Sequence, residues 1–320
     1  MWFSIPNFVA PDMQKPVSSN VSAAVLKPVA GRWSPPKAAL WAAALSPKVV
    51  VGASIVAVMV ICALFAPYIA PNDPADQDLT NMLLPPVWSA EGLAQYPLGT
   101  DSLGRCILSQ MIYGARVALL VGFFAAVGAM LLGTTLALLA GYFGGWVDRL
   151  ISQLVDLWMS LPPVVLSLTL MVGFGTGVGN VILSIVLVDW TRFCRVVRSE
   201  VIVVRRKDFV AAARLLGFGD FRIIMREILP SVAPLIITLF TLQVGIGVIV
   251  EAILSFVGLS VPADVPAWGM MIAGARNYMY QAPWGLFLPI IAIFVTVLGF
   301  NLLGEGLRVS LDPRLRKRSV

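Results

Sequence analysis

The chain has 320 residues, of which 58% are hydrophobic and only 12% charged, with a mean hydropathy of +0.87. An ordinary soluble domain carries about 25% charged and about 45–50% apolar residues, so a water-soluble enzyme hiding this apolar surface in one core is excluded. The net charge is +6, histidine is absent, and Cys62, Cys106 and Cys194 show no C-x-x-C spacing. Imidazole catalysis and histidine metal ligands are therefore ruled out, and a disulfide framework or cysteine zinc site is disfavoured.

Residues 1–47 contain Lys15, Lys27, Arg32, Lys37 and prolines at 6, 11, 16, 28, 35 and 36. They read as a largely disordered tail, without the basic-then-apolar order of a cleaved signal peptide. A membrane helix needs about 20 apolar residues to cross a ~30 Å hydrocarbon core. The first candidate is 49–68. Three more, at 116–139, 153–172 and 179–194, are separated by the glycine-rich breaks AGYFGGWVDR (140–149) and GFGTGVGN (173–180). Two further spans fall at 231–256 and 285–304. The reading is an all-α membrane protein with six transmembrane helices.

Lysine and arginine are retained on the cytoplasmic side of membranes. The loop 69–112 is acidic, with Asp73, Asp76, Asp78, Glu91 and Asp101 against Arg105 alone, whereas 192–230 holds nine basic and four acidic residues. Both termini and the 192–230 segment are therefore placed in the cytoplasm and the 69–112 loop outside. An odd number of crossings must separate the two segments, which agrees with three spans between them. The basic end of the 307–320 tail follows the last span, so anionic lipid, not nucleic acid, is the partner it suggests.

The 192–230 segment is long for a connection between two spans. Asp208 is placed to cap a helix FVAAARLLG, with Gly217 as a left-handed stop; a second helix from Asp220 is ended or kinked by Pro230. Ala211, Ala212 and Ala213 leave a small-residue surface flanked by Phe209, Leu215 and Leu216. Such a surface either docks another protein or belongs to a solvated helix resting on the bundle.

This segment resembles the cytoplasmic "EAA" loop of ABC importer permeases: Glu-Ala-Ala, three residues, Gly, then Ile/Leu-Pro. Here it reads Ala211-Ala212-Ala213, Gly217 and Ile228-Leu229-Pro230. The stretches 97–122, AGYFGGWVDR (140–149), ILSFVGLSV (253–261), PAWGMMIAG (266–274) and FNLLGEGLRVSLDPRL (300–315) are similar to the C-type subunits of dipeptide/oligopeptide/nickel transporters. The resemblance covers residues 48–316. Ala211 stands where the pattern has glutamate, and Cys106 where the family commonly has aspartate.

The resemblance implies a type I ABC importer permease fold over 48–306 in a bacterial inner membrane, with no catalytic residues and no metal or cofactor bound by this chain. It implies a heterodimer with a second, B-type permease subunit, two cytoplasmic ATP-binding subunits that use ATP and Mg, and an external solute-binding protein. Asp208, Phe209, Ala211, Ala212, Ala213, Arg214, Leu215, Leu216, Gly217 and Pro230 would then couple the chain to an ATPase, Arg214 at the polar rim. The outer segments 69–112 and 258–284 would receive the binding protein. No G-x-x-x-x-G-K-[ST] loop is present, in keeping with ATP being bound elsewhere.

Ionisable groups within spans are candidates for function because burying charge in lipid is costly. Asp156, Asp189, Glu251 and Arg116 are these groups, with Arg192 or Arg195 as potential partners of Asp189. Glu251 is the candidate for the translocation path, its alternative role being a hydrogen bond to a neighbouring helix. Tyr142, Trp146, Trp268, Tyr278, Tyr280 and Trp284 fit an interfacial aromatic belt. The substrate implied is a dipeptide or oligopeptide, with nickel or another small solute as the alternative. An ion-coupled secondary transporter is disfavoured by the long polar segment and the lack of an evident internal repeat. A membrane-embedded enzyme lacks a paired-carboxylate or Cys/His cluster.

Overall fold

A computed structural model describes residues 46–262 and 264–311. The tail over 1–45 and the residues beyond 311 lie outside them. Among the described residues the structure is helical, without strands beyond one isolated bridge between Thr100 and Cys106. The main helices are α1 (Pro47–Leu64), α2 (Ile107–Phe143), α3 (Gly145–Met159), α4 (Pro163–Phe174), α5 (Val178–Arg205), α6 (Asp208–Leu215), α7 (Leu229–Phe256), α8 (Trp268–Ala275) and α9 (Trp284–Leu311). Among the described residues, four helical segments are long and apolar enough to cross a membrane, Pro47–Leu64, Ile107–Phe143, Asp220–Phe256 and Trp284–Val309, and α5, which covers the expected span 179–194, is not one of them. The bent pair α3–α4 makes up to five.

Several boundaries differ from the sequence reading, each for a local reason. The expected span 153–172 is two helices bent by 86°, because Pro162 and Pro163 cannot continue the ladder of α3. The break at 140–149 narrows to Gly144, at φ 70°, with Gly145 at φ 57° already the first residue of α3; helix occupies both flanks. The expected span 179–194 continues to Arg205 as one 28-residue helix whose second half carries the arginines. At the start, Ser46 Oγ accepts the Val49 N–H at 3.4 Å and Pro47 occupies the first turn, where its missing N–H costs nothing. At the end, α9 runs past the expected boundary at 306 to Leu311.

Helix α2 is the centre of the fold. It packs along α5, and it also contacts α1 and α7, while α9 lies against α1 and α7. Lipid tails are as apolar as the side chains, so close packing and not hydrophobicity brings such helices together. The α2–α5 contact uses small residues: Ala129, Gly133, Ala137 and Ala140 are all buried. A Cβ on Gly133 would stand 2.4 Å from the carbonyl oxygen of Trp190, so the backbones approach only because that atom is absent. A second close crossing joins α2 to α7, where a Cβ on Gly247 would meet the Cα of Gly122 at 2.9 Å.

The acidic loop before α2 is held by its own polar groups. Asp78 accepts the Thr80 amide at 3.1 Å, the Thr80 hydroxyl, and the Asn81 amide at 2.7 Å. The Thr80 hydroxyl is the largest of the contributions that hold the Asp78 carboxyl below its usual range, followed by the Asn81 amide. Asp101 Oδ1 accepts the backbone N–H groups of Leu103 and Arg105, both at 2.9 Å, and its Oδ2 accepts Arg105 Nε at 2.8 Å and Gln110 Nε2 at 3.0 Å. Gly104 at φ 73° lets the chain pass so close that a Cβ would stand 1.8 Å from the Asp78 carbonyl oxygen. The 97–106 motif is thus a set of turns closing onto the start of α2.

Candidate functional site

The basic end of the bundle is built where α2, α5 and the 206–228 segment meet. Helix α6 starts at Asp208, so the expected Asp208 cap is not formed: Lys207 holds the N-cap position without a side-chain bond, and Asp208 is the first helical residue. There its charge still suits the helix N-terminus. The other end closes as read from the sequence. Gly217 at φ 77° turns the chain, its N–H reaching the Arg214 carbonyl at 2.9 Å, and the Phe218 N–H reaches Ala213 at 3.1 Å. This paired closure satisfies carbonyls that the helix would otherwise leave free.

The two faces of α6 differ sharply. Val210 and Ala213 are buried in the cluster formed with Tyr142, Val201, Val204 and Ile223. Ala211, Ala212 and Arg214 are exposed, with Phe209 38% exposed on the same outer side. Leu215 and Leu216 are 90% and 73% exposed at the helix end, and Phe221 beyond the turn is 74% exposed. Burying one such leucine gains about 1.5–3 kcal/mol, so this apolar surface suits contact with another protein.

Pro230 neither ends nor starts an element. A π turn over Ile224–Ile228 runs directly into α7, making one continuous 37-residue helical segment from Asp220 to Phe256. Proline has no N–H and its ring crowds the carbonyl four residues earlier; the wider π turn accommodates both effects without breaking the rod. The turn after α6 is therefore joined mechanically to a membrane-length helix.

A polar network holds this end together, and most of it has no local sequence signal. Tyr142, 3% exposed, donates to Asp220 Oδ1 at 2.6 Å. The Arg214 guanidinium lies 5.2 Å from the centre of the Tyr142 ring and that of Arg205 5.9 Å. Arg198 forms a bidentate pair with Asp148, fastening α5 to α3. Arg195 pairs with Asp156 at 2.5 Å, both side chains more than half exposed. It does not pair with Asp189, whose Oδ2 accepts from Gln243 Nε2 on α7.

The remaining intramembrane candidates lie elsewhere. Glu251 is 0% exposed; its Oε1 accepts the Ser260 hydroxyl at 3.1 Å, and its Oε2 has no hydrogen-bond partner among the described residues. The Ser260 carbonyl accepts the Gly177 N–H at 2.7 Å, so Glu251 braces the loop after α7 against the α4–α5 turn. Arg116 is exposed on α2. Two aromatics leave the expected interfacial belt: Tyr142 is buried as described, and Trp268, 1% exposed, donates to the Met111 carbonyl at 3.0 Å. Trp146 and Tyr280 stay exposed, at 73% and 90%. No group of three metal-binding side chains forms among the described residues.

Comparison with known proteins identifies what carries this architecture. Residues 133–317 match the family described as the binding-protein-dependent transport system inner membrane component, and residues 46–86 match the N-terminal TM domain of oligopeptide transport permease C. The dipeptide transport system permease protein DppC of Alkalihalophilus pseudofirmus is 38% identical over 268 residues, 83% of this chain and 86% of that protein. The di/tripeptide transport system permease protein DppC of Pseudomonas aeruginosa is 38% identical over 259 residues, 81% of this chain and 85% of that protein. The glutathione transport system permease protein GsiD of Shigella flexneri is 40% identical over 265 residues, 82% of this chain and 86% of that protein. The chain therefore belongs to the inner-membrane permease components of binding-protein-dependent transport systems.

Proposed function

We propose that this chain is one of two permease subunits of an ATP-driven importer of small peptides, and that α6 is the helix through which the ATPase acts. The observation that carries the reading is the outward face of α6: Leu215 and Leu216, 90% and 73% exposed, stand on a short helix whose other face is locked to the ends of α2 and α5. A loop helix without a partner would turn such leucines inward. Related permeases named for dipeptides, di/tripeptides and glutathione support a peptide cargo, and none of these names favours nickel.

In this reading the bundle crosses the inner membrane six times, as α1, α2, the bent pair α3–α4, α5, α7 and α9, with both termini and α6 in the cytoplasm. The basic residues of 192–230 and the acidic loop 69–112 support that orientation. A B-type permease subunit completes the path, two ATPases bind ATP and Mg, and the outer turns of 69–112 and 258–284 receive the solute-binding protein. Phe209, Leu215 and Leu216 anchor the ATPase, Ala211 and Ala212 permit its close approach, and Arg214 contributes at the rim. Gly217 and Pro230 set the geometry that carries the motion into α7. Differential binding of the ATPase to two states of α6 shifts the bundle between them; contact alone shifts nothing.

Reconstitution of both permeases, the ATPases and the binding protein in proteoliposomes tests this. Uptake of dialanine that needs ATP and all components supports it, whereas uptake by this chain alone without ATP overturns it. A path role for Glu251 requires a state in which Ser260 is drawn away. An assembled Glu251→Gln variant with unchanged uptake removes that role, and lost uptake supports it.

A further inference from the structure

A second polar constellation lies within the helices, apart from α6. A cleft of about 270 Å³ opens between α5, α7 and α9, with Arg192, Gln243 and Asn301 as its polar lining and Leu239, Leu242 and Ile246 among its apolar walls. Among the described residues, two of the arginines on α5 are paired with carboxylates and Arg192 is not. Arg195 has Asp156, and Arg198 has Asp148. Arg192, one turn earlier and exposed to the cleft, has no ion pair or hydrogen bond among the described residues. The carboxylate on its own helix, Asp189, feels the Arg192 charge through space but makes no direct contact with it, its Oδ2 accepting instead from the Gln243 amide. Gln243 is itself 1% exposed, so one donor is committed to Asp189, while its carbonyl oxygen accepts no hydrogen bond among the described residues. Asn301, exposed on α9, likewise has no hydrogen-bond partner for its amide among the described residues.

We infer that this cleft is a subsite for the C-terminal carboxylate of the transported peptide, with Arg192 as its anchor. The inference rests on the peptide-importer reading. A guanidinium presents a planar fork of donors that matches a carboxylate with two parallel bonds. A guanidinium within the helix bundle that keeps its donors unpaired marks a place where a counter-charge arrives. The amide oxygens of Gln243 and Asn301 accept the N–H groups that a peptide presents next to its C-terminus. The walls of Leu239, Leu242 and Ile246 impose no polar demand and tolerate varied side chains. The volume, a little under the ~300–1,000 Å³ of common small-ligand pockets, suits a dipeptide-sized end and not a folded chain. The constant parts of a peptide are thus read by polar groups and the variable parts by an apolar surface.

The test measures ligand binding to the assembled permease pair and ATPases in nanodiscs, without the binding protein, so that the latter's selectivity does not enter. Saturation-transfer NMR compares dialanine with dialanine amide, which differ at the carboxylate alone. The wild-type complex binds the free acid roughly tenfold more tightly, the scale of one charge-assisted pair. Arg192→Gln abolishes the preference, and Arg192→Lys keeps part of it. Proportional loss of both ligands by Arg192→Gln in a complex that still co-purifies with both permeases and the ATPases overturns the assignment. So does a preference that survives Arg192→Gln, as it would if a lipid headgroup occupied the cleft, or a wild-type complex that does not distinguish the two peptides. Uptake of dialanine by the complete wild-type system is judged separately and bears on the importer reading alone.

Discussion

Tyr142, at the end of α2, donates its hydroxyl hydrogen to Asp220 Oδ1 at 2.6 Å, across 78 positions of sequence. The bond joins the central helix to the turn that leads from α6 into α7. In the proposed coupling it makes the outer surface of α6 and the core of the bundle parts of one lever.

Removing that hydroxyl tests the lever. Tyr142→Phe keeps the buried ring beneath Arg214 and deletes the bond, at a cost on the order of 1 kcal/mol, Asp220 being free to turn to water. We expect ATP hydrolysis to persist while peptide uptake per ATP falls. Limited proteolysis should also cut more quickly within 206–223. Unchanged values for both would leave the lever without this joint.

The stop of α6 predicts a different outcome. No atom lies within 4 Å of a Cβ on Gly217, so the position is limited by its φ of 77° and not by space. Gly217→Ala should loosen the helix end by about 1–2 kcal/mol, with Gly217→Asn costing less because asparagine tolerates this conformation. Hydrogen exchange over 208–218 measures it; equal protection in the alanine variant would contradict the account.

At Gly133 the constraint is space. A Cβ there meets the Trp190 carbonyl oxygen at 2.4 Å, and overpacking of this kind costs about 1–3 kcal/mol. The helical Gly173 has nothing within 4 Å and is the control. Thermal unfolding in detergent should fall for Gly133→Ala and stay level or rise for Gly173→Ala.

The acidic loop carries a pH prediction. Asp78 is held below the usual carboxylate range, first by the Thr80 hydroxyl, so its charged form is favoured in the fold. Its contribution is fully present above the unfolded carboxylate value and is lost as pH falls through the lower folded value. Tyr96 is shifted the opposite way, its phenol raised above 10.0 chiefly by burial and then by the Asp78 charge. The stability it contributes is present below the unfolded phenol value and lost as pH rises through the folded one. Hydrogen exchange over 78–105, corrected for intrinsic rates, should stay level from pH 5 to 8, with protection lost only at the two extremes. Protection already lost near pH 5 would contradict this.

What could be read from the chain follows the range of each interaction. Long apolar runs sufficed for α2, α7 and α9, because hydropathy sums over many residues, and Gly217 announced its turn through a local steric rule. The bend at Pro162–Pro163 was hidden by the same averaging, since both flanks are apolar. The π turn was missed because Pro230 reads locally as a helix end, while the packing of Ile223 and Ile228 in the core keeps the rod continuous. Tyr142 and the Asp148–Arg198 pair carried no signal near α6; only the packing of α2, α3 and α5 brings them to it. Burial likewise moved Trp268 from the interface to the core, where its indole found a carbonyl.

Coupling through α6 requires that its outer face receive the ATPase. The most direct measurement is co-purification of the ATPase subunits with this chain carrying Leu215→Ser and Leu216→Ser together. Each leucine is worth about 1.5–3 kcal/mol when buried at a contact, so association should weaken at least tenfold. The ATPases should be lost while the second permease subunit is retained; ATPase recovery at the wild-type level would rule out this face as their seat.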